Sequence, residues 1–157
     1  MKKCRMILAL ILAAIAIGLS GCGSSDTDDE NTDWSVYPII IDGQGLRANF
    51  YTVEGQDFPS HVPLVPVAEA LGAEVYTQGN DPIGVSLTGR RGDIRFTVGS
   101  DSFTIVGEET VTLWQPSLLV DGEIYVPILF FRDVFGMGNA IWLGGHVYID
   151  TQPSDMH

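Results

Sequence analysis

One side chain has both a reactive group and a sequence context that defines its chemistry, the thiol of Cys22. A basic start at residues 2–5, an apolar run at residues 6–19 and two small residues precede this cysteine. A run of about 14 residues, rising ~1.5 Å per residue as a helix, is too short for a hydrocarbon core roughly 30 Å thick. The order is that of a bacterial lipobox, in which the thiol takes a diacylglyceryl group. We therefore expect residues 1–21 to be a lipoprotein signal peptide and Cys22 to be the lipid-bearing first residue of the mature chain.

Histidines are the next candidates for chemistry, because imidazole is a ligand that suits copper and zinc. The chain has three, His61, His146 and His157. The first two lie beside turns in distant parts of the sequence, and the third is the last residue. We expect no metal site and no cofactor.

Carboxylates are abundant, with 20 Asp and Glu against 8 Lys and Arg. Paired carboxylates serve hydrolysis, but a chain so acidic contains pairs by chance; Glu108 and Glu109 are expected in a solvated hairpin loop. The tripeptide 91–93 (Arg-Gly-Asp) resembles an adhesion motif and is predicted to be a turn. The sequence has no Gly-x-Ser-x-Gly elbow, Walker loop or His-Glu-x-x-His motif. The expectation is a protein that is not an enzyme.

Net charge narrows the range of partners. The full chain carries −12 at neutral pH and has a pI near 4.3, and removing the basic signal peptide makes the mature chain more acidic. Such a surface repels phosphate backbones and anionic headgroups, which argues against nucleic-acid binding. Cys4 would be removed with the signal peptide, so no disulfide stabilises the mature chain.

Composition divides the chain further. Residues 22–33 are predicted to be an acidic flexible tether, because residues 23–33 lack apolar side chains and carry five acidic ones. A calcium loop is the alternative there, but the central glycine and final glutamate of an EF-hand are missing. Residues 34–151 are expected to be one domain, and residues 152–157 a tail.

Short strand-like runs fill this domain, between turns rich in glycine and aspartate. Asp42-Gly43 and Asp121-Gly122 are strong hairpin signals, because primed turns need positive φ. Strand-like runs are predicted at residues 36–41, 73–77, 83–87, 93–98, 102–106, 110–114, 117–120, 140–143 and 146–150. In the run at 93–98, apolar and polar residues alternate.

Two segments have helical spacing instead. Residues 64–71 and 128–135 each follow a Val-Pro pair and stop at a glycine, Gly72 and Gly136. A shift of 64 positions places the second Val-Pro on the first. We therefore predict an α+β fold with a twisted, mostly antiparallel sheet, two short helices and an internally duplicated strand-helix-strand-strand unit.

Aromatic residues near the strand ends are candidates for a binding face. Most of this group is expected to fill the core, including Trp34, Tyr37 and Tyr76. Phe50, Tyr51 and Phe58 are kept as candidate partner-binding residues.

The sequence resembles a known family through DGQ at 42–44, VPLVPVAEALGAEV at 62–75 and DGEIYVPILFFRDVFG at 121–136. These segments are similar to the copper amine oxidase N-terminal-like domain of Gram-positive surface proteins, over residues 37–151. An arginine usual after Val-Pro-Leu is replaced by Val65 and Leu129. The resemblance implies a mostly antiparallel sheet with packed helices and, because this region of the oxidases is a stalk remote from the copper, no catalysis.

The leading functional hypothesis is a non-catalytic lipoprotein, anchored through Cys22 on the outer face of the cell membrane. Its domain would bind a cell-envelope polymer or a protein partner. Two alternatives remain: a cell-wall hydrolase using paired carboxylates, and a solute-binding lipoprotein of a transporter.

Overall fold

The computed structural model describes residues 36–152. The predicted signal peptide, Cys22, the predicted tether, Trp34 and His157 lie outside the described residues, and the expectations for them stay predictions. Within residues 36–152 there are twelve strands: β1 (Ile39–Ile41), β2 (Gln44–Leu46), β3 (His61–Pro63), β4 (Val75–Gln78), β5 (Gly84–Gly89), β6 (Gly92–Thr97), β7 (Ser102–Ile105), β8 (Thr110–Thr112), β9 (Leu118–Val120), β10 (Glu123–Pro127), β11 (Asn139–Leu143) and β12 (His146–Asp150).

These strands form three sheets. Their orders are β11-β12-β1-β2, β3-β10-β9 and β4-β5-β6-β7-β8. Neighbours are antiparallel except β1 and β12, which pair in parallel. The predicted α+β class with mostly antiparallel sheet is confirmed, although the strands divide among three sheets instead of one.

Both Asp-Gly pairs form the tight turns that the sequence predicts. Asp42 and Gly43 have φ of 46° and 78°, and Asp121 and Gly122 have φ of 49° and 79°. Two successive positive φ angles define the primed turn that matches the twist of a two-residue hairpin. These turns join β1 to β2 and β9 to β10, and so fix the register of both pairs.

Strand β6 shows how the residue pattern determines burial. Ile94 and Phe96 are buried, whereas Asp93, Arg95 and Thr97 are exposed, because successive side chains of a strand point to opposite faces. The alternation predicted for residues 93–98 is confirmed, and the apolar face of the five-stranded sheet contributes to the core.

The first predicted helix is present as α1 (Leu64–Ala70), with Leu64, Val67 and Ala68 buried. Pro66 lies in its first turn, where a missing N–H costs nothing because that group has no partner within the helix. Gly72 follows the helix with φ of 81°, a left-handed conformation that glycine adopts without strain. The predicted proline and glycine boundaries are confirmed.

The second predicted helix, at 128–135, differs from the expectation. Residues 128–129 form a turn, and a π-helical turn follows at Phe131–Phe135. The wider turn brings Phe131, Val134 and Phe135 into the core, with Phe130 fully buried just before it. The predicted α-helical period was wrong here: the backbone N–H that caps the segment at Gly136 donates to the carbonyl of Phe131, five residues back, which is the spacing of a π-helix.

Aromatic rings join the π-helical turn to the five-stranded sheet. The ring centroid of Phe130 lies 5.8 Å from that of Phe96, 5.1 Å from Phe103 and 5.2 Å from Phe131. These edge-on arrangements suit the ring quadrupole. The rings belong to a hydrophobic core that also includes residues of α1, β1 and β12.

Candidate functional site

An apolar depression with a volume of about 490 Å³ lies on the surface of the described residues, and this size is typical of ligand-binding clefts. We call it the aromatic cleft. Its lining residues are Gln56, Asp57, Phe58, Pro59, Ser60, Trp114, Gln115, Pro127, Ile128, Leu129, Ala140, Ile141 and Trp142. Four separate segments therefore meet there: the loop before β3, the loop after β8, the end of β10 with the following turn, and β11.

Backbone hydrogen bonds fix the loop before β3 against the end of β10. The N–H of Ile128 donates to the carbonyl of Ser60 over 2.9 Å, and the N–H of Tyr51 donates to the carbonyl of His61 over 2.8 Å. Directly beyond them, β3 and β10 pair with Val62 opposite Val126. Two of the segments that line the aromatic cleft are thus hydrogen-bonded beside the β3-β10-β9 sheet.

Two large aromatic side chains at the cleft are mostly exposed to solvent. Trp114 is 73% exposed and Phe58 is 58% exposed. The Phe58 ring centroid lies 5.0 Å from that of the half-buried Trp142, at an interplanar angle of 49°. Exposed clusters of large apolar groups on a folded domain mark binding surfaces.

Trp142 adds a polar group to this apolar site. Its indole Nε1 is buried and has no hydrogen-bond partner among the described residues. A buried N–H without an acceptor costs free energy. The Phe58 ring that packs on the indole is itself largely exposed.

His61 supports the cleft and is fully buried. Its Nε2 lies 2.8 Å from the carbonyl of Pro116, and its Nδ1 lies 2.8 Å from Oγ of Ser60. A carbonyl only accepts, so Nε2 carries the proton and Nδ1 accepts from the Ser60 hydroxyl, which defines a neutral tautomer. Burial lowers the pKa of His61 below its ordinary value, and the bond to Pro116 opposes that shift.

We expect acid to destabilise the domain through His61. Because the pKa is lower in the folded state, the unfolded chain binds more protons below pH 6.5, and stability falls as pH drops through that value, by at most about 1.4 kcal/mol per pH unit for one proton. Urea denaturation of the wild type and His61→Gln between pH 5 and 8 measures this. The difference between the two proteins should grow with pH; a difference that does not vary with pH would contradict the assignment.

The three aromatic residues kept as candidates lie in different places. Phe58 lines the aromatic cleft. Phe50 is half-buried against the hydrophobic core. The Tyr51 ring centroid lies 5.5 Å from that of Tyr125, and its backbone pairs with His61. Only Phe58 is among the residues that line the cleft.

Two further expectations concern the remaining aromatic residues. Tyr76 is 61% exposed, so its predicted place in the core is wrong; it lies on the edge strand β4, where the side chain faces solvent. Tyr37 is half-buried, with the guanidinium carbon of Arg47 5.4 Å from its ring centroid.

The tripeptide at 91–93 lies at the hairpin between β5 and β6, as predicted. The Arg91 guanidinium contacts Glu108 at 3.1 Å and Glu109 at 2.9 Å, and it also donates to the carbonyl of Asp133 over 2.6 Å. Glu108 and Glu109 lie in the exposed hairpin loop that the sequence predicts. Arg91 therefore joins the loop at Glu108 and Glu109 to the π-helical turn at Asp133, which is a structural role for the tripeptide.

Sequence reasoning missed the two tryptophans of the cleft. The predicted strand at 110–114 includes Trp114, whereas the strand ends at Thr112, and the predicted strand at 140–143 gives Trp142 no role in a site. The sequence signal for Trp114 is the Gln-Pro pair that follows it at 115–116. Proline is disfavoured inside a strand, so the residues just before it are expected in a loop.

The family model of the copper amine oxidase N-terminal domain matches residues 33–142. The chain belongs to this family. All residues that line the aromatic cleft fall within the matched range. No curated protein and no solved structure matches the chain. The copper amine oxidase N-terminal domain is an accessory, non-catalytic type of module.

The name of the family raises the question of copper. Both ring nitrogens of the buried His61 are engaged, by Ser60 and Pro116, and His146 lies on β12 near the Tyr148 ring. Among residues 36–152, no three His, Cys, Asp or Glu side chains are grouped as metal ligands. The described part of this copper amine oxidase N-terminal domain does not fit a copper site.

Two other properties of the described residues bear on function. Asp57 is the one carboxylate among the described residues that line the cleft, whereas glycoside hydrolysis uses a pair. In the part of the chain that the structure covers, no helix has the length and hydropathy needed to cross a membrane.

Proposed function

We propose that this protein is a non-catalytic lipoprotein, anchored outside the cytoplasm, whose domain binds a cell-envelope component or a protein partner in the aromatic cleft. The observation that carries the proposal is the exposure of Trp114 and Phe58 at an apolar cleft. Membership of a non-catalytic family supports binding over turnover.

The energetics of recognition favour this site. Tryptophan is enriched among the residues that dominate binding energy, because a large flat ring loses little conformational entropy when it is covered. Trp114 lies in the loop between β8 and β9, so its ring is available to a partner without unfolding of a strand. Asp57 and Gln56 at the rim supply polar contacts that orient a ligand.

The proposed anchor rests on the sequence. The lipobox order ending at Cys22 and the acidic residues that follow it would attach the domain by a lipid and hold it away from the membrane surface. The acidic tether and the anionic lipid headgroups both carry negative charge and therefore repel each other.

For the anchor, we expect Cys22→Ala to abolish lipidation. Without the thiol there is no site for the diacylglyceryl group, so the protein should stay as the unprocessed precursor or appear in the medium. Cell fractionation with a carbonate wash, and mass spectrometry of the amino terminus, measure this. A Ser25→Ala variant, also within the acidic segment, is the control and should fractionate as the wild type does. A Cys22→Ala protein that stays membrane-bound with wild-type mobility would contradict lipidation.

For the cleft, we expect Trp114→Ala to weaken retention on an envelope fraction at least tenfold, since an anchoring ring contributes about 2 kcal/mol or more. Stability should change by no more than about 0.5 kcal/mol, because the ring is mostly exposed. Co-sedimentation with washed envelopes measures binding. Tyr76→Ala removes another exposed ring and is the matched control. Equal retention of both variants would exclude the cleft as the binding site.

We also propose that the domain arose by duplication. Val62 and Val126, which are related by the shift of 64, pair directly across β3 and β10. Antiparallel pairing about this point is what a two-fold relation between copies requires. Gly72 and Gly136, related by the same shift, both have left-handed φ, 81° and 98°, just after a helical segment. A hairpin follows each glycine.

A further inference from the structure

One side of the aromatic cleft is an open sheet edge. Strand β11 is the terminal strand of its sheet, and Ala140, Ile141 and Trp142 line the cleft. An edge strand presents backbone donors and acceptors to any chain that lies beside it. The cleft therefore combines an apolar surface with unpaired main chain.

The hydrogen-bond pattern shows which groups are available. The N–H of Val147 donates to Pro38 across the sheet, so Val147 points away from β11 and its partner Trp142 forms a non-hydrogen-bonded pair with it. The N–H and C=O of Trp142 consequently point outward from the sheet edge. No hydrogen bond joins them to another described residue. Ala140 has the same orientation but is 2% exposed, so the accessible stretch begins at Ile141.

Side chains along this stretch are apolar and exposed. Ile141 is 38% exposed and Leu143 is 62% exposed. Proteins commonly protect an edge strand with lysine, proline or a bulge, whereas β11 reads Asn-Ala-Ile-Trp-Leu. An unprotected apolar edge beside a cleft is suited to strand addition.

Resting on the proposed binding function, we propose that the aromatic cleft binds an extended polypeptide segment of another protein as an added strand on β11. The segment would form two main-chain hydrogen bonds with Trp142 and place alternate apolar side chains against Ile141 and Trp114. A polypeptide fits better than a glycan, because only a peptide backbone offers a donor and an acceptor at strand spacing.

The negative charge of the chain favours a basic partner. The chain carries −12, and Asp57 lies in the cleft with no basic side chain among its described lining residues. Two copies of so acidic a chain repel each other, whereas a segment with lysine or arginine between its apolar residues is attracted. The occupant is therefore a basic, apolar, extended segment and not a second copy.

The test uses the full chain in detergent and two fluorescent ten-residue peptides that alternate valine and lysine. One peptide is unmodified, and the other is N-methylated at every residue, which removes the backbone donors of both strand edges without changing charge. We expect the unmodified peptide to bind at least tenfold more tightly by fluorescence anisotropy. The amide proton of Trp142 should also exchange more slowly in that complex.

Two variants locate the site on the protein. Ile141→Lys should weaken binding of the unmodified peptide at least tenfold, since it adds a like charge at the edge. Leu119→Lys places the same charge on another edge strand, where the leucine is 50% exposed, and should change binding less than twofold. Circular dichroism of both variants checks that they fold.

Equal affinity of the two peptides, or equal effects of the two variants, would overturn strand addition. Chitotetraose serves as the glycan probe. If it binds in a Trp114-dependent way while the peptides do not, strand addition fails but the proposed function stands. If neither a probe nor the envelope fraction depends on Trp114, the proposed function fails as well.

Discussion

Phe130→Ala should destabilise the domain by about 3–5 kcal/mol, the range for removing a phenyl group from a packed core. Phe130 is fully buried, and its ring contacts those of Phe96, Phe103 and Phe131. The lost ring joins the π-helical turn to the five-stranded sheet, so neither element can easily move to fill the space. Domains of this size are stable by only about 5–15 kcal/mol, and residues 36–152 contain no cysteine that could form a compensating disulfide. Urea denaturation followed by tryptophan fluorescence measures the change.

Two further variants make this prediction specific. Phe130→Leu keeps most of the apolar volume and should cost clearly less than Phe130→Ala. Tyr76→Ala removes a ring of similar size from an exposed position and should change stability by no more than about 0.5 kcal/mol. If Phe130→Ala and Tyr76→Ala had similar effects, the aromatic cluster would not be the core of the domain.

Much of the fold could be predicted because local signals agreed with tertiary structure. Asp42-Gly43 and Asp121-Gly122 adopt the primed turns that their residue types favour. The alternation at residues 93–98 matches the burial of β6. Tight turns and strand alternation are set by neighbours in sequence, so they can be inferred without knowledge of packing.

The second helical segment could not be predicted for a physical reason. Its spacing at Ile128, Phe131 and Phe135 fits an α-helix, but Phe130 and Val134 also belong in the core. A wider π-helical turn at Phe131–Phe135 places Phe131, Val134 and Phe135 in the core. The outcome depends on the sheet that receives the rings, and a single sequence does not reveal that surface.

The candidate site shows the same limit. Phe58 was identified because it lies in the long loop before β3, and it lines the cleft. Trp114 and Trp142 lie far from Phe58 in the sequence, and tertiary structure alone brings the three residues together at the cleft. Burial distinguishes Phe58 from Phe50, which packs on the core; residue type alone does not.

Gly89→Ala tests how closely the five-stranded sheet approaches the π-helical turn. A Cβ at Gly89 would lie 2.9 Å from the backbone oxygen and 3.2 Å from the Cα of Phe135. The neighbouring N–H of Arg90 donates to that same oxygen over 2.8 Å, so the new methyl group would separate two backbones that are hydrogen-bonded. Overpacking of this kind costs about 1–3 kcal/mol. We expect that loss in urea denaturation, with faster exchange of the Arg90 amide proton.

Gly84→Ala is the matched control because it lies at the other end of the same strand, β5. A Cβ there meets nothing closer than 3.5 Å, at the Gln78 oxygen, and neither glycine has positive φ. Alanine at Gly84 reduces the freedom of the unfolded chain, which stabilises a fold by about 0.4–1 kcal/mol where no clash opposes it. The two substitutions should therefore have opposite signs. If the two substitutions changed the free energy of unfolding by the same amount and in the same direction, alanine would act at both sites through the unfolded chain. Close packing of the sheet against the π-helical turn at Gly89 would then be contradicted.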